Sequence, residues 1–399
     1  MYLNFVISMT YYLRLGSRGG KYMKKVLIFT ASIGGGHNEA ASCLEREFKK
    51  HGFMVKKIDA LLEINKALDA FIIGSCKVLI NNFPKLYGSL YSISNKEKSN
   101  KLIKQSFSSI SREKVYNIIL QENPDLIIST HAFMVGVVGS LKERKLIDIP
   151  FISIVTDYEA HRAYIDKNVD AYIAGSDYTS RTLIKKGISK EKIFSYGIPI
   201  KEEFLKGFQS MNLKSSSFQI LLMAGSLGLK GMKKVLKNIV QIDGDYNIVT
   251  ICGKNRKLQA SIEKEYRELI ESNKLSVYGF TNNIPFIMEN SDIIITKPGG
   301  LTISEAMAKR LPMIIPYYIP GQEKENLDFL LRQGLALYVP KVDFIKELLE
   351  SIMKNQEILD IMKKNMEEIY NISCLDNIVY LGENLIEDSN YRMDLEYSS

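Results

Sequence analysis

The sequence contains no tryptophan, only four cysteines and no long apolar run. The cysteines (Cys43, Cys76, Cys252 and Cys374) form no CxxC pair, which excludes a disulfide framework and a cysteine-based zinc site. They are predicted to be buried thiols in a reducing compartment. No run approaches the roughly 20 apolar residues of a membrane-spanning helix, so the sequence predicts no such helix.

Residues 1–22 are predicted to be a non-structural extension. Their first arginine follows the apolar stretch and no small-residue cleavage site precedes Lys25, which argues against a signal peptide. Because Arg18-Gly19-Gly20 can be encoded by a purine-rich ribosome-binding sequence, we interpret Met23 as the start of translation.

The net charge of +8 is concentrated in one region of the 399-residue chain. Between Lys77 and Lys104 there are six lysines and one glutamate, interleaved with aromatic and aliphatic residues. One interpretation is a solvated helical region with its own core face. The other is a surface for anionic lipid, where each lysine contributes on the order of 1 kcal/mol. Nucleic acid is not expected as a partner, since no recognised motif accompanies the charge.

Short apolar runs alternate with helical patterns along the chain, which predicts an α/β protein with parallel sheets. The pattern occurs twice, so we predict two doubly wound domains, at 23–208 and 218–388, joined by a polar linker at 209–217. The second domain is expected to end in helices after residue 342. The tail at 389–399 is predicted to be disordered.

Three of the four histidines follow predicted strands. These are His37, His131 and His161, and Asp157 ends the strand before His161. Chemistry in such folds gathers at the carboxyl ends of the strands, so we predict that these residues share one edge of the sheet. His51 falls in the last turn of the first helix, where a cation suits the helix dipole. No short-range spacing of ligands supports a metal site.

The stretch "ASIGGGHNEA" places three glycines, Gly34 to Gly36, between a strand and a helix. Glycine permits positive φ and close approach of the backbone to a ligand. Neither the dinucleotide fingerprint nor the Walker pattern is matched, so spacing alone does not establish nucleotide binding. A cation is disfavoured at a helix start, so His37 is expected to be neutral and able to act as a base.

The second domain has two comparable turns. In "LLMAGSLGLKG" Gly225 and Ser226 would bring backbone N–H groups to a phosphate, and "TKPGGLTISEAMA" turns through Gly299 and Gly300 into a helix. Thr302 and Glu305 have the spacing of a capping box. Alternatively, the Glu305 carboxylate would accept two hydrogen bonds from a ribose diol.

Taken together, these segments resemble the monogalactosyldiacylglycerol synthase and processive diacylglycerol glucosyltransferase family. The resemblance rests on "ASIGGGH", "STHAFM", "VTDYEAHRAYIDKNVDAYIAGS", "GIPI", "AGSLG", "CGKN", "YGFTNNIPFIM", "TKPGGLTISEAMA" and "IPGQEKEN", in the same order over residues 23–370. It implies the GT-B architecture, in which two Rossmann-like domains face each other across a cleft. It also implies inverting transfer of a hexose from a UDP-sugar to diacylglycerol, without a metal or other cofactor.

The resemblance assigns roles to individual residues. On the acceptor side, His37 would be the base or a phosphate contact, and it would be accompanied by Gly35, Gly36, His131, Asp157, His161 and Tyr164. On the donor side, Phe280 would read uracil, Glu305 would bind ribose, and the remaining contacts would come from Gly225, Ser226, Gly299, Gly300, Thr302, Gln322, Glu323 and Asn326. The family commonly has tryptophan where this chain has Tyr164, so positioning of the acceptor is expected to differ in detail.

The segment "NNFPKLYGSLYSIS" also resembles the family's acceptor side, which favours the lipid interpretation of the lysine-rich region. The residues expected at the membrane are Lys85, Tyr87, Tyr91, Lys96 and Lys98. The resemblance thus implies a cytoplasmic protein that is peripheral on the inner face of the membrane.

Three other functions remain open on the same fold: a lipid-linked N-acetylglucosaminyltransferase, a UDP-sugar 2-epimerase, and a non-catalytic nucleotide-sugar sensor. The sequence distinguishes neither UDP-glucose from UDP-galactose nor one oligomeric state from another.

Overall fold

The computed structural model describes residues 23–32, 35–206, 217–223, 231–370 and 374–398. Two six-stranded sheets, parallel throughout, form the framework of these residues. The first sheet has the order β2-β1-β3-β4-β5-β6 and the second β12-β11-β10-β7-β8-β9. The strands are β1 (Lys25–Thr30), β2 (Met54–Asp59), β3 (Leu126–Ser129), β4 (Phe151–Ile154), β5 (Ala171–Ile173), β6 (Ile193–Phe194), β7 (Phe218–Met223), β8 (Tyr246–Ile251), β9 (Leu275–Tyr278), β10 (Ile293–Thr296), β11 (Met313–Ile315) and β12 (Ala336–Tyr338).

Helices cover both faces of each sheet, because parallel strands without a solvated face require apolar cover on both sides. In the first half they are α1 (Gly36–Lys50), α2 (Ala60–Ile64), α3 (Lys66–Asn82), α4 (Pro84–Ser94), α5 (Glu97–Glu122), α6 (Ala132–Glu143), α7 (Asp177–Lys185) and α8 (Glu202–Leu205). In the second half they are α9 (Met232–Ile239), α10 (Arg256–Glu265), α11 (Arg267–Glu271), α12 (Ile284–Glu289), α13 (Gly300–Ala308), α14 (Gln322–Arg332), α15 (Ile345–Lys354), α16 (Glu357–Ile369) and α17 (Cys374–Ser398). The predicted pair of doubly wound α/β domains is confirmed.

The connection between β2 and β3 is longer than a usual crossover. It contains four helices, α2 to α5, and α5 alone has 26 residues. The lysine-rich region is therefore helical, as one of its two interpretations expects, but the core face which that interpretation includes is absent from α4, none of whose residues is fully buried. These helices extend the first domain beside the carboxyl ends of its strands.

The end of the chain departs from the sequence analysis in two ways. Disorder is predicted at 389–399, but residues 389–398 continue helix α17. The sequence also assigns this helix to the second domain, yet Leu375 and Ile378 lie in the core formed with Val26 and Phe48 of the first. These apolar residues of α17 are buried against the first sheet, which explains why the helix packs there. The extension at 1–22 and residues 209–216 of the linker lie outside the described residues.

Candidate active site

The carboxyl ends of the two sheets face each other, and two glycine turns bring them into contact. A Cβ added at Gly300, the first residue of α13, would lie 2.1 Å from the carbonyl oxygen of Thr156, which follows β4. A Cβ at Gly36, the first residue of α1, would lie 3.6 Å from Cβ of Leu301. Only a residue without a side chain fits at Gly300. The sequence predicts a close approach to a ligand at Gly34 to Gly36, whereas the close approach in the structure is made by Gly300 to the opposite domain.

His37 lies at the start of α1, inside this contact. Its Nδ1 is 2.8 Å from the carbonyl oxygen of Thr130 and 2.9 Å from Oγ1 of Thr156. Because a carbonyl can only accept, Nδ1 carries the proton and Nε2 holds the basic lone pair. Burial lowers the pKa of His37, against the opposing effects of Asp157 and of the bond to Thr130. The imidazole is thus neutral at pH 7, as the general-base hypothesis requires.

His131 and Asp157 lie beside His37. The rings of His37 and His131 are 4.4 Å apart between centroids. His131 caps α6, where its Nδ1 accepts from the N–H of Phe133 at 3.2 Å. Burial, with His37 as a further cause, holds the pKa of His131 well below its ordinary value. Burial also raises the pKa of Asp157, opposed by hydrogen bonds from the opposite domain and by His37.

Tyr164 supports His37 through Thr156. The buried Tyr164 hydroxyl lies 3.2 Å from Oγ1 of Thr156, the same hydroxyl that contacts Nδ1 of His37. Burial raises the pKa of Tyr164, which keeps the phenol protonated. Tryptophan at this position, as in the family, has no hydroxyl for this contact. The tyrosine that replaces the family's tryptophan therefore adds a hydroxyl contact to Thr156.

His161 does not join His37 and His131, although the sequence predicts that all three share one edge of the sheet. Its Nε2 lies 3.2 Å from Oγ of Ser94, and its ring centroid is 4.7 Å from that of Tyr91, both on α4. Burial lowers its pKa to about 4. His37 and His131 therefore come together at the edge of the sheet, whereas His161 faces α4.

On the donor side, Glu305 lies on the second turn of α13. The helix begins at Gly300 with Gly299 as N-cap, so the alternative of a capping box with Thr302 as N-cap is wrong. Burial, with Glu39 of α1 as a further cause, raises the pKa of Glu305 to about 8, while Lys201 opposes the shift. The carboxyl of Glu305 thus faces charged groups of the first domain across the cleft.

Phe280 follows β9 at the same edge of the second sheet. Its side chain is 64% exposed, and Nζ of Lys254 lies 5.7 Å from its ring centroid. An exposed aromatic residue at a strand end leaves both ring and backbone accessible to a ligand. Gly225 and Ser226 lie outside the described residues, so their predicted role stays a prediction.

The segment Gln322 to Asn326 crosses the cleft. Nε2 of Gln322 and Nδ2 of Asn326 both donate to Oδ1 of Asp157. Asn326 is fully buried and also accepts from the N–H of Tyr158. Its amide is thus occupied in holding the two domains together, and the predicted contact with a donor sugar requires these bonds to break.

Glu323 is similarly occupied within the second domain. One carboxylate oxygen pairs with Nζ of Lys297, and the other accepts from the N–H of Ile319 at 2.8 Å. Of the three predicted sugar contacts in this segment, Gln322 alone is partly exposed. It is therefore the one best placed to meet a ligand.

The five predicted membrane residues divide into two groups. Lys85, Lys96 and Lys98 are exposed, whereas Tyr87 is half-buried near Glu323 on the side of α4 that faces the second domain, so its membrane assignment is corrected. The structure corrects the assignment of Tyr91, because its hydroxyl donates to Oε2 of Glu325 at 2.6 Å inside the interdomain contact. No helix in the described part of the chain is long and apolar enough to cross a bilayer.

A grouping with metal-ligand geometry occurs at the far end of α1, where Glu47, His51 and Asp376 converge. It lies about 20 Å from His37, given the rise of 1.5 Å per residue. Nδ1 of His51 contacts the carbonyl oxygen of Glu47 at 3.0 Å, and His51 caps the helix. The predicted position of His51 at the end of the first helix is confirmed, and this grouping takes no part in the cleft.

Four residues of the site are not predicted by the sequence analysis: Glu39, Thr156, Lys201 and Lys297. Thr156 and Lys297 each follow a strand, so their positions at carboxyl ends were the available signal. Glu39 and Lys201 form an ion pair at 3.6 Å. They are so far apart in the sequence that no local pattern indicates this pair.

The contact at Gly300 leads to a first prediction. In Gly300→Ala the new methyl group would collide with the Thr156 carbonyl, so we expect that the cleft does not close fully and that kcat falls by about tenfold. A small misplacement of reacting groups can lower the rate by up to ~10²-fold. Gly74→Ala is the matched control, because its Cβ would meet nothing within 4 Å. Steady-state kinetics of both variants test this, and equal activities would contradict it.

Comparisons with known proteins agree with this geometry. Residues 37–200 match the family described as monogalactosyldiacylglycerol (MGDG) synthase, and residues 208–369 match glycosyl transferases group 1. The processive diacylglycerol beta-glucosyltransferase of Bacillus subtilis is 30% identical over 359 residues, covering 87% of this chain and 91% of the relative.

Solved structures share the fold. MurG of Acinetobacter baumannii superposes with a TM-score of 0.62 at 16% identity, covering 90% of this chain and 99% of that one. UDP-GlcNAc 2-epimerase of Neisseria meningitidis gives a TM-score of 0.56 at 15% identity, covering 92% and 100%. These structural likenesses establish the GT-B architecture. The sequence identity to the Bacillus subtilis protein then identifies the family within that architecture. The chain belongs to the family of monogalactosyldiacylglycerol synthases and processive diacylglycerol glucosyltransferases.

Proposed function

We propose that this protein transfers a hexose, glucose or galactose, from a UDP-sugar to diacylglycerol and so makes a membrane glycolipid. The observation that carries the proposal is the neutral His37, whose Nδ1 is bonded at the interdomain contact so that Nε2 keeps the basic lone pair, in a chain from this family. A base in that position can take the proton from a lipid hydroxyl.

The reaction is proposed to be a single inverting displacement. The acceptor oxygen attacks the anomeric carbon, its proton passes to Nε2 of His37, and UDP leaves with the electron pair of the broken bond. General-base catalysis contributes roughly 10²–10⁴-fold. Fixed donors toward the departing diphosphate contribute a comparable ~10²–10³-fold each.

We propose that no metal ion is needed for this step. The N-terminus of α13 has no side-chain cap and carries the positive end of the helix dipole, which favours an anionic diphosphate. Glu305 would accept hydrogen bonds from the ribose diol, and the backbone at Phe280 would contact uracil.

We further propose that the protein is peripheral on the cytoplasmic face of the membrane. Exposed lysines at positions 85, 96, 98 and 101 supply positive charge, and exposed apolar side chains lie between them in the sequence. Lys104 does not contribute, because its ammonium donates to the carbonyl of Ile165 inside the protein.

The test is a transfer assay with purified protein, diacylglycerol in anionic liposomes, and UDP-glucose or UDP-galactose in parallel. A glycosyl-diacylglycerol from one donor would support the proposal and identify the sugar. Measurable UDP binding without glycolipid from either donor would overturn it. Transfer to a lipid-linked acceptor, or epimerisation of a UDP-sugar, would then identify which rival function applies.

A further inference from the structure

Helix α4 has two separate surfaces. One faces the second domain and includes Tyr87, Gly88 and Tyr91. The other surface is exposed and apolar. It consists of the N-cap residue Phe83 and of Leu86, Leu90 and Ile93, whose side chains are 47–56% exposed. Spacings of three and four residues place each set on one side of a helix.

The first surface of α4 fits closely against the segment 320–325 of the second domain. A Cβ at Gly88 would lie 2.7 Å from Cβ of Pro320, and one at Gly321 would lie 2.8 Å from Cγ of Tyr91. Tyr91 also donates to Glu325 at 2.6 Å. The residue after Gly321, Gln322, donates to Asp157 beside His37. The contact thus reaches the reacting centre through one residue.

The position of α4 depends on what its surfaces touch, because none of its residues is fully buried. An open cavity of about 520 Å³ lies beside the contact, bordered by Lys85 and Ile93 on α4 and by Tyr318 and Lys324 opposite. On its inner side α4 also contacts His161 of the first domain through Ser94 and Tyr91, while its apolar surface stays exposed. Anything that fixes its exposed surface would also fix the contact with the second domain.

We propose that α4 couples the membrane to the donor site: docking of its exposed apolar surface and neighbouring lysines on an anionic bilayer fixes α4 against segment 320–325 and strengthens UDP binding. The occupant is a bilayer because the apolar residues are flanked by exposed Lys85, Lys96 and Lys98, a charge pattern complementary to anionic headgroups. This inference rests on the membrane association in the proposed function and adds a link between the two sites.

The test measures the Kd for UDP by calorimetry, with and without phosphatidylglycerol vesicles that contain no diacylglycerol. For the unaltered protein we expect vesicles to tighten UDP binding about tenfold, the effect of one hydrogen bond to a charged group. Reciprocity requires UDP to tighten vesicle binding by the same factor, which sedimentation measures.

Two variants interrupt the coupling in different ways. Tyr91→Phe removes the bond to Glu325, and Gly88→Ala pushes α4 away from Pro320; each should still bind vesicles but lose the effect of vesicles on UDP affinity. The matched controls are Tyr380→Phe, on α17, and Gly74→Ala, on α3 in open space. Both should keep the effect.

The outcomes separate this inference from the proposed function. Vesicle binding without any change in UDP affinity, or a change that survives in both Tyr91→Phe and Gly88→Ala, overturns the coupling. Absence of glycolipid in the transfer assay overturns the proposed function instead, whatever the vesicles do to UDP affinity.

Discussion

Replacing His37 with alanine is expected to lower kcat by roughly 10²–10⁴-fold, the usual contribution of a general base. The Kd for UDP should stay unchanged, because the proposed nucleotide contacts lie on the second domain. Single-turnover kinetics and calorimetry measure the two quantities separately. His51→Gln is the control, since it removes another histidine at the far end of α1.

The pH dependence gives a second readout for His37. Burial lowers its pKa, so the basic form persists below the ordinary value of about 6.5. At saturating UDP-sugar, kcat should therefore hold from about pH 8 down to about 6.5 and fall only at lower pH. An alanine variant with a normal kcat, or with weakened UDP binding as its main defect, would refute the assignment of His37 as the base.

Replacing Glu305 with glutamine is expected to weaken UDP binding by about 10–100-fold, because hydrogen bonds to a charged group contribute roughly 1.5–3 kcal/mol. The pKa of about 8 means that the carboxyl is largely protonated at pH 7 in the unliganded protein. A ribose diol donates two hydrogen bonds, which favours the ionised form. Binding of UDP at pH 7 should therefore release a proton, measured by calorimetry in buffers of different ionisation enthalpy.

The same carboxyl affects stability. Its folded-state pKa lies above the unfolded value, so the folded protein holds an extra proton between about pH 4.5 and 8, and stability falls as pH rises through that range. Glu305→Gln should remove this loss and raise the Tm above about pH 8. Glu347→Gln, which removes an exposed carboxylate of α15, is the control. Normal UDP affinity in Glu305→Gln, with no proton release in the unaltered protein, would contradict the ribose assignment.

Local pattern sufficed for the strands and their carboxyl ends. Short apolar runs indicated the parallel strands of both domains, and strand ends indicated His37, His131 and Asp157 because parallel sheets expose those ends together. Local sequence patterns could not predict which residues from distant parts of the chain contact each other. Nothing local indicates that Tyr91 meets Glu325, or that Asn326 is occupied by Asp157, because those contacts depend on how two domains close.

The path of α17 has a consequence for motion. The chain enters the second domain after residue 206 and returns by residue 374 to pack on the first, where a Cβ at Gly382 would lie 2.8 Å from Cδ2 of Leu126. Because two covalent segments link the two domains, the easiest relative movement is a rotation of one domain about the axis that passes through both segments. The cleft is therefore expected to open along a single angle, so one distance measured across it would describe how far open the enzyme is.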